Sequence, residues 1–294
     1  MKIWNNYILV NSKEDAIDAL HQYEGKSRLI AGGTDLLLEM QQGLQPPIDT
    51  LIDINGVPEL LNLEVIDDKL VIGAAVPVSK ITNSEIVKFH AESLAEATGL
   101  IGGPQVRNVA TLGGNVAHAL PAADGMIALV SLNASTVIFS GNGIHEIDIL
   151  NLFQGPGVSA LKQGEFILAF KLNKKLPGEA SAFSRVMRPQ GVALPIINCS
   201  IWLRRKDKHI ADIRIAFGPS GPVPTRALAV EEDLRGKLFN EETIHSAKNV
   251  SRNTVRFRTS KLRASAEYRY ELAENLLESV LLTAWTRATI DNGG

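Results

Sequence analysis

Two short segments of the sequence have the residue types needed to bind a diphosphate. The first is Ala31-Gly32-Gly33-Thr34-Asp35 and the second is Thr111-Leu112-Gly113-Gly114-Asn115. Each contains a glycine pair, which lets backbone N–H groups approach a phosphate closely and turn inward at positive φ. Either segment alone is explained equally well as an ordinary strand-to-helix turn. Together, two such segments far apart in the sequence favour a dinucleotide held from two sides.

The first segment is predicted to act through its backbone. The amides of Gly32, Gly33 and Thr34 would form a concave nest of donors, to which the Thr34 hydroxyl adds another. The carboxylate of Asp35 would repel a phosphate aimed at it. We therefore expect Asp35 to cap the following turn or to accept a hydrogen bond from a ribose hydroxyl.

The second segment repeats this set of groups and adds a side-chain amide at Asn115 that can donate. His118, which follows closely, is expected to be a helix-end or solvent residue and not a catalyst. Asp124 lies near the start of an apolar helix, where it either binds ribose hydroxyls or stabilises the helix start. These residues extend the predicted site beyond the glycine pairs.

The elements around these segments mix strands and helices. A capping box at Ser12 predicts a helix, and a short strand at 28–30 leads into the first glycine segment. Two hairpins are predicted, closed by Asp67-Asp68 and by Gly141-Asn142-Gly143. Further strands are expected at 166–172, 192–203 and 209–217, and helices near 225–234, at 241–252 and from about 264.

No strand–helix–strand rhythm runs through these elements, which indicates an α+β fold. We expect a first domain over 1–176, with lobes of about 1–55 and 56–176, and a second domain over 177–294. The last helix carries a broad apolar stripe, which is packing surface for its own domain or for a partner.

The composition excludes several classes of function. A net charge of −2 over 294 residues gives no reason to expect nucleic acid or an anionic membrane as partner. Basic residues cluster between Arg252 and Arg269, but acidic residues follow, so a solvated face is expected there. No apolar run reaches membrane-spanning length and the start does not resemble a signal peptide, so a cytoplasmic protein is expected.

The chain contains one cysteine, Cys199, in an apolar stretch. A single cysteine excludes an intrachain disulfide and any metal site built on several thiolates, so we expect a buried core thiol and no metal site. If the protein does redox chemistry, another group must carry the electrons.

Several motifs in chain order resemble one known family. They are AGGTDLL, Val106-Arg107-Asn108-Val109-Ala110-TLGGN, PAADG, the strand from Glu165 and the late Ser265-Ala266-Glu267-Tyr268-Arg269. Over nearly the whole chain they resemble the FAD-binding medium subunits of molybdenum hydroxylases. This family includes subunits or domains of carbon monoxide dehydrogenase, xanthine dehydrogenase and 4-hydroxybenzoyl-CoA reductase.

The resemblance implies a two-part FAD-binding domain of the vanillyl-alcohol oxidase type and a smaller C-terminal α/β domain. It places the diphosphate of FAD at the two glycine segments, the adenosine part at Asp124 and the flavin pocket near Leu168. The predicted FAD-binding residues are Leu29, Ile30, Ala31, Gly32, Gly33, Thr34, Asp35, Thr111, Gly113, Gly114, Asn115, Asp124, Leu168 and Arg185.

Arg185 takes the place of a lysine that many relatives have. A fixed cation there would stabilise the negative charge of reduced flavin near N1, although a surface arginine beside a strand is an equally good explanation. Residues 191–195 follow where some relatives cover the isoalloxazine, and here such a cover would be aliphatic.

The resemblance also implies partners. A small subunit with two [2Fe–2S] clusters and a large molybdopterin subunit would assemble with this chain into a dimer of heterotrimers. Electrons would pass from the clusters to FAD and then to NAD, a quinone or another acceptor. The alternatives are a stand-alone FAD-dependent oxidase or dehydrogenase, for which we find no convincing general base, and a scaffold that has lost FAD.

Overall fold

In the computed structural model the N-terminal lobe is built on three short parallel strands, in the order β1-β3-β2. The structure describes residues 3–46, 48–188, 194–260 and 263–288. The elements of this lobe are β1 (Asn6–Leu9), α1 (Lys13–Gln22), β2 (Ser27–Ile30), α2 (Leu36–Gln41) and β3 (Thr50–Asp53). Ser12 caps α1, as predicted, since its hydroxyl accepts a hydrogen bond from the Asp15 amide at 3.0 Å.

The second lobe contains a five-stranded antiparallel sheet in the order β4-β5-β10-β6-β7. The five strands of this sheet are β4 (Leu63–Ile66), β5 (Lys69–Gly73), β6 (Ser135–Ser140), β7 (Gly143–Asp148) and β10 (Phe166–Asn173). Between β7 and β10, β8 (Phe153–Gly155) and β9 (Val158–Ser159) form a separate two-stranded sheet. Both predicted hairpins are confirmed. Their turns require left-handed backbone, at Asp67 with φ of 53° and at Gly143 with φ of 107°.

Short helices connect the halves of this sheet and carry the second glycine segment. They are α3 (Val78–Asn83), α4 (Glu85–His90), α5 (Glu92–Gly99), α6 (Pro104–Arg107), α7 (Leu112–Ala117) and α8 (Asp124–Ser131). The helix α8 is buried along its whole length, because it packs against α5 and α7 of this lobe and against the sheet of the C-terminal domain. One continuous apolar core joins this lobe to α1 and β3 of the first.

The C-terminal domain has a four-stranded antiparallel sheet in the order β11-β12-β13-β14, covered by three helices. Its elements are β11 (Glu179–Met187), β12 (Pro195–Lys206), β13 (His209–Gly218), β14 (Thr225–Arg226), α9 (Leu228–Leu234), α10 (Glu241–Thr254) and α11 (Ala266–Arg287). The helix predicted from 225 is wrong at its start, because Thr225 and Arg226 pair with the edge of β13.

The strand β12 is buried on both faces. Ile197, Cys199 and Ile201 point into the apolar core under α9, α10 and α11. Successive side chains of a strand alternate, so Asn198 and Ser200 point toward α8 and the N-terminal two-lobed region. The Ser200 hydroxyl lies 2.6 Å from that of Ser131 on α8, which joins the two domains.

These observations confirm the α+β class, with an N-terminal two-lobed region and a C-terminal domain. The predicted division near residue 176 stays a prediction. Burial raises the pKa of the Cys199 thiol, as expected of a core thiol. Within the described ranges, no helix has both the length and the apolar character needed to cross a membrane.

Candidate functional site

The first glycine segment forms an open turn between β2 and α2. Gly33 has φ of 65°, a conformation that favours glycine. The N–H groups of Gly32, Gly33, Thr34 and Asp35 donate to no acceptor in the described part of the chain. Unpaired amides on consecutive residues are the donors that an anion-binding nest requires, so this turn fits a diphosphate.

Gly32 also has a packing role that its motif did not predict. A Cβ atom at this position would lie 2.2 Å from the carbonyl oxygen of Val109 and 2.9 Å from Cα of Ala110. Only glycine allows the first segment to lie against the chain that leads into the second. The two predicted segments are therefore neighbours in space.

The second segment is not the open loop that was expected. Thr111 is the N-cap of α7, and its hydroxyl accepts from the Gly114 amide at 3.1 Å. The amide of Gly113 donates to the carbonyl of Ala74 at 2.8 Å, and that of Asn115 to the carbonyl of Thr111 at 3.0 Å. The expectation that Gly113 and Gly114 offer free amides is therefore wrong, because these amides stabilise the helix start and its contact with the sheet.

The glycines of the second segment serve two different purposes. A Cβ at Gly113 would lie 2.6 Å from both the Cβ and the carbonyl oxygen of Ala74, so close packing requires glycine there. Gly114 is exposed, and a Cβ there would meet only the Thr111 hydroxyl, at 3.1 Å. Gly114 is thus the position at which a ligand can approach the backbone.

Asn115 has an unmet hydrogen-bonding group, which lies beside Gly125 at the start of α8. Its Oδ1 is buried and accepts no hydrogen bond from the described residues. Buried polar atoms are nearly always paired, so a donor from a ligand is expected there. A sugar or ribityl hydroxyl supplies such a donor, and the residue therefore fits a flavin dinucleotide.

The two segments are joined by a contact that the motifs did not reveal. Nε2 of His118, at the end of α7, lies 2.8 Å from Oε1 of Glu39 on α2, and Nδ1 lies 3.7 Å from Oδ2 of Asp35. Burial raises the pKa of Glu39, but hydrogen bonds from Gln45 and His118 outweigh it and lower the pKa on balance. His118 is at a helix end, as expected, and it also bridges the lobes.

Asp35 stands at the N-cap position of α2, but its side chain caps no backbone amide. The prediction that it caps the turn is therefore wrong, since the carboxylate faces His118. Its contact with a ribose hydroxyl stays a prediction. Leu29 and Ile30 end β2 directly before the nest, and their contact with FAD stays a prediction.

Asp124 and Arg185, predicted separately, meet in the structure. Asp124 is the first residue of α8 and is 4% exposed, and its Oδ2 accepts from Nη1 of Arg185 on β11. Its Oδ1 accepts from Nδ2 of Asn198 on β12 at 2.7 Å. Burial raises the pKa of the Asp124 carboxyl against the opposing effects of Arg185 and Asn198.

This network changes what is expected of both charged residues. Both Asp124 oxygens are engaged within the protein, so the carboxylate joins the N-terminal two-lobed region to the C-terminal sheet. The charge of Arg185 is largely compensated by Asp124. A contact of either residue with FAD stays a prediction. Asn198 also donates to the Ala122 carbonyl at 3.1 Å. No sequence motif includes Asn198, so its place in this network was not predicted.

Leu168 lies on β10 at a register shift between Ile167 and Ala169. Its side chain is buried in the core, and its carbonyl accepts from the Ala74 amide at 3.0 Å. Ala74 also accepts from Gly113, so Leu168 supports the second segment from behind. Its predicted place in the flavin pocket stays a prediction, and residues 191–193 of the predicted aliphatic cover lie outside the described residues.

Comparison with known proteins places this geometry in a family. The FAD binding domain in molybdopterin dehydrogenase matches residues 3–173, and the CO dehydrogenase flavoprotein C-terminal domain matches residues 181–284. These matches cover the two-lobed region and the sheet-and-helix domain in turn.

Individual relatives match over almost their full length. The nicotine 6-hydroxylase medium subunit of Paenarthrobacter nicotinovorans is 32% identical over 94% of this chain and 95% of its own. The carbon monoxide dehydrogenase medium chain of Hydrogenophaga pseudoflava is 29% identical over 96% of this chain and 97% of its own.

A solved carbon monoxide dehydrogenase from Hydrogenophaga pseudoflava, which lacks the Mo-pyranopterin moiety of its cofactor, superposes with a TM-score of 0.91 at 28% identity. The match covers 98% of this chain and 99% of that one. This protein therefore belongs to the family of the FAD binding domain in molybdopterin dehydrogenase, as an oxidoreductase subunit whose cofactor is FAD.

Proposed function

We propose that this chain is a cytoplasmic electron-transfer subunit of a molybdenum hydroxylase. Its FAD would receive electrons from the [2Fe–2S] clusters of a small partner subunit and pass them to NAD, a quinone or another acceptor. A large molybdopterin subunit would oxidise the substrate, within a dimer of heterotrimers. The observation that carries the proposal is the row of unpaired amides from Gly32 to Asp35, in a chain similar to medium subunits over its whole length.

The diphosphate of FAD would lie on the first segment. The amides of Gly32, Gly33 and Thr34 would donate to its oxygens, and the Thr34 hydroxyl would add a fourth donor. Ala31 would contact the cofactor through its backbone N–H. Its backbone carbonyl is already paired, since it accepts a hydrogen bond from the Asn55 side chain at 3.0 Å. Asp35 would face a ribose hydroxyl instead of the phosphates.

The second segment would hold the cofactor through side chains and shape instead of free amides. Gly114 would allow close approach, and Asn115 Oδ1 would accept from a hydroxyl of the cofactor. The Thr111 hydroxyl accepts from a protein amide, which leaves its hydrogen free to donate.

Bound FAD supplies a centre that exchanges one or two electrons. Arg185 would lie near the flavin, where its guanidinium would stabilise the negative charge of the reduced form. Because Asp124 offsets much of that charge, we expect a smaller effect than from an unpaired cation.

The cysteine count supports a division of labour between chains. A [2Fe–2S] cluster requires four protein ligands, most often thiolates, and this chain has one cysteine, which is buried. Clusters that deliver electrons to this FAD would therefore belong to another chain.

Anaerobic reduction of the flavin tests the proposal against a stand-alone oxidase. The chain is purified with FAD, alone and together with candidate small and large subunits, and its absorbance is followed after addition of substrates of molybdenum hydroxylases or small alcohols. We expect bleaching only in the assembled complex. Reduction of the isolated chain by a small alcohol would contradict the subunit function, and absence of bound flavin would favour a scaffold.

A further inference from the structure

The basic segment between Arg252 and Arg269 divides into two parts in the structure. Arg252 is paired as expected of a solvated face, with Glu267 at 2.7 Å and Glu274 at 2.8 Å. Arg258, Arg263 and Arg269 differ, since none of them contacts a carboxylate within the described ranges. The solvated-face prediction therefore holds for Arg252. The exposed Arg256 also contacts no carboxylate in the described part of the chain, so four arginines remain unpaired, of which Arg258 and Arg263 lie close enough to act on Arg269.

Arg269 is the unusual member of this arginine cluster (Arg258, Arg263 and Arg269). It lies in the first turns of α11, is 2% exposed, and its Nε donates to no acceptor among the described residues. Burial lowers the pKa of its guanidinium, and the positive charges of Arg263 and Arg258 lower it further. A buried cation flanked by like charges is unfavourable unless an anion compensates it.

The described residues do not supply that anion. Glu267 and Glu271 are two residues from Arg269 along α11, which places them on the opposite side of the helix. Outside the described residues the sequence contains one acidic residue, Asp291. Three extended residues span about 11 Å at most, whereas α11 separates Ala288 from Arg269 by about 28 Å.

The amides at the start of α11 do not require an anion either. Ser265 accepts from the Tyr268 amide at 3.2 Å, and Thr259 accepts from the Ala266 amide at 3.0 Å. The unmet groups are therefore the guanidinium groups themselves. They are bordered by Tyr268, which is 46% exposed, and by the exposed Arg258.

We propose that the arginine cluster is a docking site for an acidic segment of a partner subunit, with one carboxylate paired to Arg269. This inference rests on the proposed function, because it needs a partner. An exposed arginine (Arg258) and a half-buried one (Arg263) beside a buried one suit protein association, since the outer charges steer the partner and the inner charge forms a desolvated pair. An exposed tyrosine beside them is typical of such interfaces.

The experiment compares assembly of the three-subunit complex for charge-reversed chains. Arg258→Glu combined with Arg263→Glu is the test variant. Lys206→Glu combined with Lys208→Glu is the control, because these exposed lysines lie at the β12–β13 turn of the same domain. Affinity for the partner subunits is measured at low and high salt, and the flavin content of each chain is recorded.

We expect the test variant to bind its partners about tenfold more weakly or worse at low salt, with full flavin content. The control should assemble like the unaltered chain. Equal assembly of both variants would overturn the docking site and leave the proposed function intact. Failure of the unaltered, FAD-loaded chain to assemble with any partner would overturn both.

A second variant separates docking from a structural role. Arg269→Met removes an uncompensated buried charge, so thermal unfolding of the isolated chain should occur at the same or a higher temperature, while assembly weakens. Marked destabilisation of the isolated chain would contradict the inference. If millimolar inorganic phosphate stabilised the unaltered chain but not Arg269→Met, the cluster would be assigned to a small anion instead, and the docking site would be overturned.

Discussion

Nε2 of His118 lies 2.8 Å from Oε1 of Glu39, although 79 residues separate them in the sequence. His118 ends the helix that begins with the second glycine segment, and Glu39 lies in the helix that follows the first. The contact therefore sets the distance between the two segments that are proposed to hold FAD. Asp35, 3.7 Å from the other ring nitrogen, belongs to the same bridge.

Replacing His118 by alanine tests this bridge. We expect FAD to bind several-fold more weakly, because a hydrogen bond to a charged group is lost and the two lobes are less firmly held. The dissociation constant is measured from the quenching of flavin fluorescence. His145→Ala, at an exposed position on β7, is the matched control, and equal affinity in both variants would show that the bridge does not position the site.

Gly33 tests the amide nest. Gly33→Val should abolish flavin retention, because the residue has φ of 65° and the added side chain would collide with Ile30 and Leu37, which distorts the turn that presents the amides. Gly43→Val is the control, since Gly43 has φ of 69° and a Cβ added there would meet no atom within 4 Å. Both variants carry the same backbone strain, so loss of FAD from both would point to that strain instead of a distorted nest, and thermal unfolding of both variants shows whether the collision at Gly33 unfolds the chain.

The two glycines of the second segment should behave differently. Gly113→Ala should destabilise the fold by about 1–3 kcal/mol, because the added carbon collides with Ala74. Gly114→Ala should leave the free energy of unfolding unchanged or raise it slightly, and it should weaken FAD binding. Urea unfolding and flavin titration of both variants measure the two effects, and full flavin affinity in Gly114→Ala would remove this position from the site.

The pair of Asp124 and Arg185 should be strongly coupled. Asp124→Ala leaves a guanidinium that is 7% exposed without its carboxylate, so we expect a loss of about 3–5 kcal/mol in unfolding free energy. Adding Arg185→Met should recover part of that loss. A double-mutant cycle from urea unfolding gives the coupling energy, and additive effects would show that the two charges do not depend on each other.

Much of the local structure could be predicted from the sequence. The cap at Ser12, the two hairpin turns and the apolar stripe of α11 depend on neighbouring residues and on periodicity, which the sequence states directly. The glycine pairs marked two places where the backbone comes close to another part of the chain or to a ligand. Motifs in chain order were enough to indicate the family, its fold and FAD.

The tertiary structure decided what each glycine and each charge does. Whether an amide is free depends on which acceptor another part of the chain brings to it, so the Gly32 turn stays open while Gly113 is bonded to Ala74. Asp124 lies 61 residues from Arg185, and neither sequence position reveals the other. Close packing and charge compensation arise between segments that folding brings together, and local residue patterns do not specify them.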